Sequence, residues 1–310
     1  MQAVVITDFG AAPEVRELDI PEPVKGEVRV HVHAASVNGF DLAVANGYLK
    51  DMMEHRFPVV LGKDFAGTVD ALGPDATGFA RGDRVFGVVT KTHLGDGSFA
   101  EFVTVPVATG LAKLPETVTF TEGAALGLAG TAALAATDAC APQSGQAVLV
   151  VGATGGVGTQ VVQLAVKAGA HVIATAHTDL ERQLVTEFGA AEVVDYTGDV
   201  AAAVLQFHPQ GVDAVVHLAG DPAPLLAVVR NGGKFISTLI GSPEQLPAER
   251  ATVVPVYANP TQDTLDRVAE NHATGHTSVK IQRVYGLDRA PVALADFAGG
   301  TLGKLVITTN

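Results

Sequence analysis

The stretch Ala147-Val148-Leu149-Val150-Val151-Gly152-Ala153-Thr154-Gly155-Gly156-Val157-Gly158 decides how this chain folds. Its first five residues form an unbroken apolar run with the length and β-branched content of a fully buried strand. The run passes straight into a turn crowded with glycine. Beyond it, Val157, Val161, Leu164, Ala165 and Ala168 recur at helical spacing, and Gly169 closes the segment. Strand, glycine turn and helix N-terminus together form a dinucleotide phosphate site: the glycines admit the pyrophosphate, while the free amides and helix dipole favour its charge. The register is Ala153-x-Gly155-x-x-Gly158, with alanine at the first fingerprint position. A glycine fingerprint alone says little; inside a strand-turn-helix frame it is strong.

Working outward, the same unit repeats. His171–Ala176, Glu192–Asp195, Val212–His217 and Lys234–Leu239 read as further strands, with helices expected over Leu180–Phe188 and Pro222–Arg230. That alternation predicts an α/β fold with a doubly wound parallel sheet. Right-handed crossovers place Gly155, Ala176, Leu218, Ala219, Gly220 and Ser237 along its carboxyl edge. The first third differs. Val28, Val30 and Val32 alternate with Arg29, His31 and His33, the period of a half-buried strand. Val4–Ile6, Phe65–Ala71, Arg84–Val89 and Phe99–Val105 follow between Gly, Pro and Asp turns, predicting a small antiparallel β-rich domain. The tail Thr301–Thr308 returns to a strand pattern and is expected to pack on that domain. The expected division is therefore 1–118 with 258–310, and 119–257.

A chain of 310 residues, 47% of them hydrophobic, can bury two cores. A net charge of -13 argues against nucleic acid or an anionic membrane as a partner. Cys140 is the single cysteine, so no internal disulfide forms. The sequence shows no secretory start and no apolar run of membrane-spanning length, so a cytoplasmic setting is expected.

Further segments carry a family resemblance. They are Ala35-Ser36-Val37-Asn38-x-x-Asp41, Gly47-Tyr48, Phe57-Pro58-x-x-Leu61-Gly62-Lys63-Asp64-Phe65-Ala66-Gly67, Gly82-Asp83-Arg84-Val85, and Gly97-x-Phe99-Ala100-Glu101. Gly189-Ala190, Val193-Val194-Asp195-Tyr196 and Gly303-Lys304-Leu305-Val306 complete the set. In this order they resemble the medium-chain dehydrogenase/reductase superfamily, in its zinc-free quinone oxidoreductase (zeta-crystallin-like) branch. The resemblance covers nearly the whole chain. It implies a GroES-like β-rich domain, a Rossmann domain, a homodimer and a nicotinamide in the interdomain cleft beside Asn38, Lys63 and Thr131. It also implies cofactor contacts from Gly152 through Gly158 (Thr154, Gly156 and Val157 included) and from Leu218, Ala219, Gly220, Ser237 and Lys304.

Zinc-dependent relatives place a cysteine where Asn38 to Asp41 lies, a histidine at Lys63, and four structural cysteines where Gly87–Gly97 holds none. This chain offers one thiol, so no metal is expected. His31 and His33 could face alike on one strand, but solvent-facing strand residues are the plainer reading. Without a Lewis acid, oxidation of an unactivated alcohol is disfavoured, and reduction of an electron-poor acceptor remains. Lys63 is the expected cation, and Tyr48 the expected phenolic donor, near a developing enolate oxygen; Asn38 completes the catalytic candidates. Alternatives are an ion pair of Lys63 with Asp64, packing for Tyr48, and helix capping for Thr131, which is read as starting a helix. Asp41 and Asp64 are read as scaffold.

An NAD site needs a carboxylate at the end of the second strand, where this chain has Thr175, Ala176, His177 and Thr178. His177, Thr178 and Arg182 can instead donate to a 2′-phosphate. Relatives preferring NADPH often carry lysine where Glu181 falls, and Tyr196 matches a tyrosine at their adenosine phosphate end. NADPH is the expected cofactor. The expected activity is reduction of a quinone, enone or alkenal. The alternatives are an enoyl-thioester reductase or, in another class, a non-enzymatic NADPH-binding structural, sensory or RNA-binding protein.

Overall fold

The structure, a computed structural model, describes residues 1–309. Packing divides it into a β-rich unit of Met1–Thr131, Pro260–Thr274 and the residues from Ile281 onward, and a nucleotide-type unit of Ala132–Asn259 and Gly275–Lys280. The division falls at Thr131, not at 118/119, because the helix Phe120–Cys140 contributes to both units. Its start was signalled: Thr119 N–H donates to Glu122 Oε2 (2.9 Å) while Glu122 N–H donates to Thr119 Oγ1 (3.2 Å), a reciprocal capping box. Thr131 is therefore mid-helix rather than at its start, its hydroxyl donating back to Gly127 O at 3.0 Å. At 21 residues this helix is long and apolar enough to cross a membrane, contrary to the expectation that no run reaches that length. It is a core helix, with 72% of its apolar window buried inside the fold.

The β-rich unit is organised by the strand Glu27–Ser36, which pairs antiparallel with Asp64–Leu72, Phe102–Pro106 and Lys304–Thr308. The alternation holds: Val28, Val30 and Val32 are fully buried in a core with Phe65, Phe99 and Leu305. On the opposite face His31 stacks on Phe102 (4.9 Å between centroids) and His33 on Phe120 (4.5 Å). The tail returns as expected, Val306 opposite Ser36.

The nucleotide-type unit carries a six-stranded parallel sheet in the order Glu192–Val194, His171–Thr175, Ala147–Val151, Val212–His217, Val229–Ser237, Ala251–Pro255. Its strands read from the sequence are present, and the helix Asp179–Glu187 lies where Leu180–Phe188 was expected. Pro222–Arg230 is corrected. Only a 3-10 turn forms, at Pro224–Val228, and Val229 already begins the next strand. The segment ends there because Val229 pairs with Val212 and is drawn into the sheet. Val229–Ser237 is consequently an interior strand, and only Ala251–Pro255 stands at that edge.

Candidate cofactor and active-site residues

The turn after Ala147–Val151 is shaped by two close approaches. Gly152 has φ +82°, and a Cβ on Gly158 would lie 2.1 Å from Gly152 O, so the helix Gly156–Lys167 seats directly on the turn. Thr175, at the end of the neighbouring strand, accepts the Gly152 amide proton on Oγ1 at 3.0 Å and fixes the turn from the side. Gly155 is different. It caps the helix in extended backbone (φ -76°, ψ 172°) with no capping side chain, and an added Cβ would meet only Gly152 O at 3.6 Å. The protein does not need glycine there; a ligand approaching the first-turn amides of Gly156, Val157 and Gly158 does. Ala153 is fully buried beneath the turn and Thr154 is buried beside it. These residues fit a pyrophosphate.

Leu218, Ala219 and Gly220 are brought against this turn: a Cβ on Gly152 would lie 3.0 Å from Ala219 Cβ, and Leu218 N–H donates to Val151 O at 3.0 Å. Behind them lies a buried pair of which sequence reasoning had named Ser237 but not His217. His217 Nε2 is 3.1 Å from Gly220 O, and Nδ1 is 2.9 Å from Ser237 Oγ. Because a carbonyl only accepts, Nε2 carries the proton and Nδ1 accepts from Ser237. Burial pushes His217 below the usual histidine range and keeps it neutral. Ser237 in turn accepts from Leu239 N–H at 3.0 Å, so Ser237 serves the loop geometry.

At the adenosine end the fold changes the reading. His177, Arg182 and Tyr196 do converge, but with two carboxylates. Asp195, from the end of the third strand, lies 2.9 Å from His177 Nδ1 and 3.3 Å from Arg182 Nη2. Glu181 accepts from the amides of His177 (2.9 Å) and Thr178 (2.8 Å) and from the Tyr196 hydroxyl (3.1 Å). The end of the third strand thus brings a carboxylate onto the His177 and Arg182 donors. Bonds from His177 and from the amide and hydroxyl of Thr197 hold Asp195 well below the usual carboxylate range.

In the β-rich unit, Asp64 is the centre of a buried polar network. Its Oδ2 accepts from Ser36 Oγ (2.8 Å), Asn38 Nδ2 (2.9 Å) and Lys304 Nζ (3.4 Å), and its Oδ1 accepts from Leu128 N–H (2.7 Å). Lys304 also donates to Asn38 Oδ1 (2.6 Å) and Val37 O (3.0 Å), committing all three of its donors. With a side chain 4% exposed, Lys304 holds the framework together and presents no donor to a cofactor. Asn38 is likewise bonded at both ends of its amide, so it positions neighbours. Asp64 pairs with Lys304, and the Lys63 ammonium donates to Val89 O instead, so the expected Lys63–Asp64 ion pair does not form.

Lys63 faces a narrow cavity of about 20 Å³, roughly one water, lined also by Phe40, Asp41, Val89, His93 and Asp96. Its ammonium donates to Val89 O at 2.7 Å and sits 4.7 Å from the Phe40 ring centroid. Burial pushes it below the usual lysine range, against the pull of Asp41 and Asp64. Asp41 accepts from Asn38 N–H at 2.8 Å, yet burial raises its carboxyl to about 7. Tyr48 is 75% exposed on a loop and is not among the residues lining this cavity.

Two family models match the chain. The alcohol dehydrogenase GroES-like domain covers residues 24–116 and the zinc-binding dehydrogenase covers 156–256. The quinone oxidoreductase of Sus scrofa is 30% identical over 99% of this chain and 97% of its own length. A mycocerosic acid synthase-like polyketide synthase of Mycolicibacterium smegmatis is 36% identical over 69% of this chain, which spans 10% of that protein. The solved structure of a quinone oxidoreductase from Coxiella burnetii superposes with TM-score 0.89 at 26% identity, over 100% of this chain and 99% of that one. The two-unit fold, the phosphate turn and these likenesses agree: the chain belongs to the medium-chain dehydrogenase/reductase superfamily, in its quinone oxidoreductase branch, and is a nicotinamide-dependent oxidoreductase.

Proposed function

We propose that this protein reduces a quinone or an α,β-unsaturated carbonyl with NADPH, using no catalytic zinc. The observation that carries the reading is Lys63, a desolvated ammonium on a cavity wall at the position where zinc-dependent relatives place a histidine. The donor set around it does not fit zinc. Asn38, Asp64 and Lys304 are saturated by one another, and two ammonium groups within one cluster oppose a dication.

NADPH, when bound, supplies the hydride. The chain binds its pyrophosphate on the open Gly155 turn and its 2′-phosphate through Arg182 and His177, which Asp195 must release in part. A preference over NADH of about tenfold is expected, since charge-assisted contacts contribute about 1.5–3 kcal/mol before that competition. Lys63, with one of its three donors committed among the described residues, stabilises the oxyanion that develops on the acceptor. Asp41, raised to about 7, can hold a proton at the same cavity near neutral pH.

Similarity to a segment of a polyketide synthase favours a second reading, an enoyl-thioester reductase. Following NADPH oxidation against quinones, alkenals and enoyl thioesters, with and without prolonged chelation, separates them. Chelator-resistant turnover of quinones or alkenals is expected; turnover of enoyl thioesters alone, or loss on chelation, overturns the reading. The proposal includes a cytoplasmic homodimer paired through the edge strand Ala251–Pro255, whose outer side has no partner strand in the sheet. Light scattering at micromolar concentration should return twice the chain mass.

A further inference from the structure

At the far end of the strand His171–Thr175 from the glycine turn, three side chains from three elements converge. His171 opens that strand, Glu192 opens the edge strand Glu192–Val194, and His208 caps the helix Val200–Phe207. Nε2 of His171 lies 2.5 Å from Glu192 Oε1. Nε2 of His208 lies 3.0 Å from the same oxygen and 3.2 Å from Oε2. The possible ligand atoms all fall within 4.8 Å of one another, the one such group of three among the described residues.

Two imidazoles aimed at one carboxylate oxygen are more than a surface ion pair. Two histidines and a carboxylate form a donor set that zinc accepts with a water in the fourth position. Around an ion at 2.0–2.1 Å, tetrahedral ligand atoms stand ~3.3 Å apart. The 3.0 Å between His208 and Glu192 already approaches that spacing, the 2.5 Å contact of His171 needs to open by less than ~1 Å, and the two histidine ligand atoms already lie within 4.8 Å of each other. The half-exposed Glu192 and His171 side chains are free to make that adjustment. Each ring now directs an Nε2 proton at Glu192, and an Nε2 relieved of that proton becomes a ligand.

We propose that His171, Glu192 and His208 bind one divalent cation of the zinc class, and that the ion fastens the edge strand to the sheet. Glu192–Val194 has three residues and pairs on one side only, so a clip to its neighbour strand and to the following helix adds what its short ladder lacks. The site is ~13 Å from Thr175 along the strand, and so separate from the cofactor turn.

Equilibrium dialysis of the chelator-stripped full chain against Zn²⁺ tests this. Saturable uptake of one ion per chain is expected, with a higher Tm in its presence. Glu192→Gln keeps the shape and should weaken uptake by ~10–100-fold; His171→Ala/His208→Ala should weaken it at least ~100-fold and remove the Tm gain. NADPH oxidation should be unchanged in Glu192→Gln. Absence of saturable uptake overturns the proposal. So does uptake of undiminished strength in both variants, or its loss instead in His31→Ala/His33→Ala, which would assign the ion to that other histidine pair.

Discussion

The glycine turn and the Asp64 network do opposite things with polar groups. At the turn, the first amides of the helix Gly156–Lys167 are left without a capping side chain, and Gly155 leaves open the space its Cβ would fill. In the Asp64 network, Ser36, Asn38, Leu128 and Lys304 reach one carboxylate from three separate segments and satisfy both of its oxygens. The first holds unused capacity for a ligand; the second spends its capacity on the fold. An unsatisfied group survives only where solvent or a ligand can meet it, and a buried one must be answered from within.

Substitutions should divide along the same line. Gly155→Val should abolish NADPH binding in a calorimetric titration while leaving Tm within about 2 °C, because the extended backbone accepts valine and the nearest protein atom is at 3.6 Å. A large fall in Tm would show that Gly155 serves the fold after all. Asp64→Ala should do the reverse. It strands Lys304, buried, beside a lost partner and should cost about 3–5 kcal/mol in denaturant unfolding. A loss under about 1 kcal/mol would mean that Val37 O and Asn38 suffice.

Lys63→Ala sits between the two. Turnover should fall by about 10²–10³-fold with NADPH affinity unchanged, measured by steady-state kinetics beside a separate titration. Wild-type turnover would make Lys63 a positioning residue for Val89 and Phe40. At the adenosine end the effect is smaller. Arg182→Ala should weaken NADPH by about tenfold and leave NADH alone, whereas Asp195→Asn should raise the NADPH preference by freeing Arg182. Equal effects on both cofactors would remove Arg182 from 2′-phosphate recognition.

The smallest expected effect is one of pH. Asp41 has its folded value raised to about 7 from 3.8, so between these the native state binds the proton that the unfolded chain has released. Its contribution is therefore present in full below about pH 4 and is lost as pH rises through about 7. Asp41→Asn keeps an acceptor for the Asn38 amide without the charge. Calorimetry should show the variant's Tm gaining a few degrees on wild type between pH 5 and pH 8; a constant difference would place the Asp41 titration below that window.

Local pattern made much of this molecule legible. Ala147–Val151 and Val28–Val32 announce their strands through periodicity alone, and the Gly155 turn announces its ligand because strand, turn and helix are contiguous. Thr119-x-x-Glu122 was an equally local signal that went unread, and Thr131, expected to start a helix, lies in the middle of one. The strand that cuts short the helix expected over Pro222–Arg230 was not legible locally, because Val229 is claimed by its pairing with Val212.

What sequence by itself determined is therefore the two kinds of unit, the dinucleotide turn and the family, all set by spacings of a few residues. Tertiary structure decided the partners. Asp195 answers Arg182 from 13 residues away, Lys304 answers Asp64 from 240 away, and His171, Glu192 and His208 meet from three elements. The physical reason is reach. A helix or strand period fixes which face a side chain takes, whereas the charge it meets across a sheet depends on strand order and register, which local spacing does not encode.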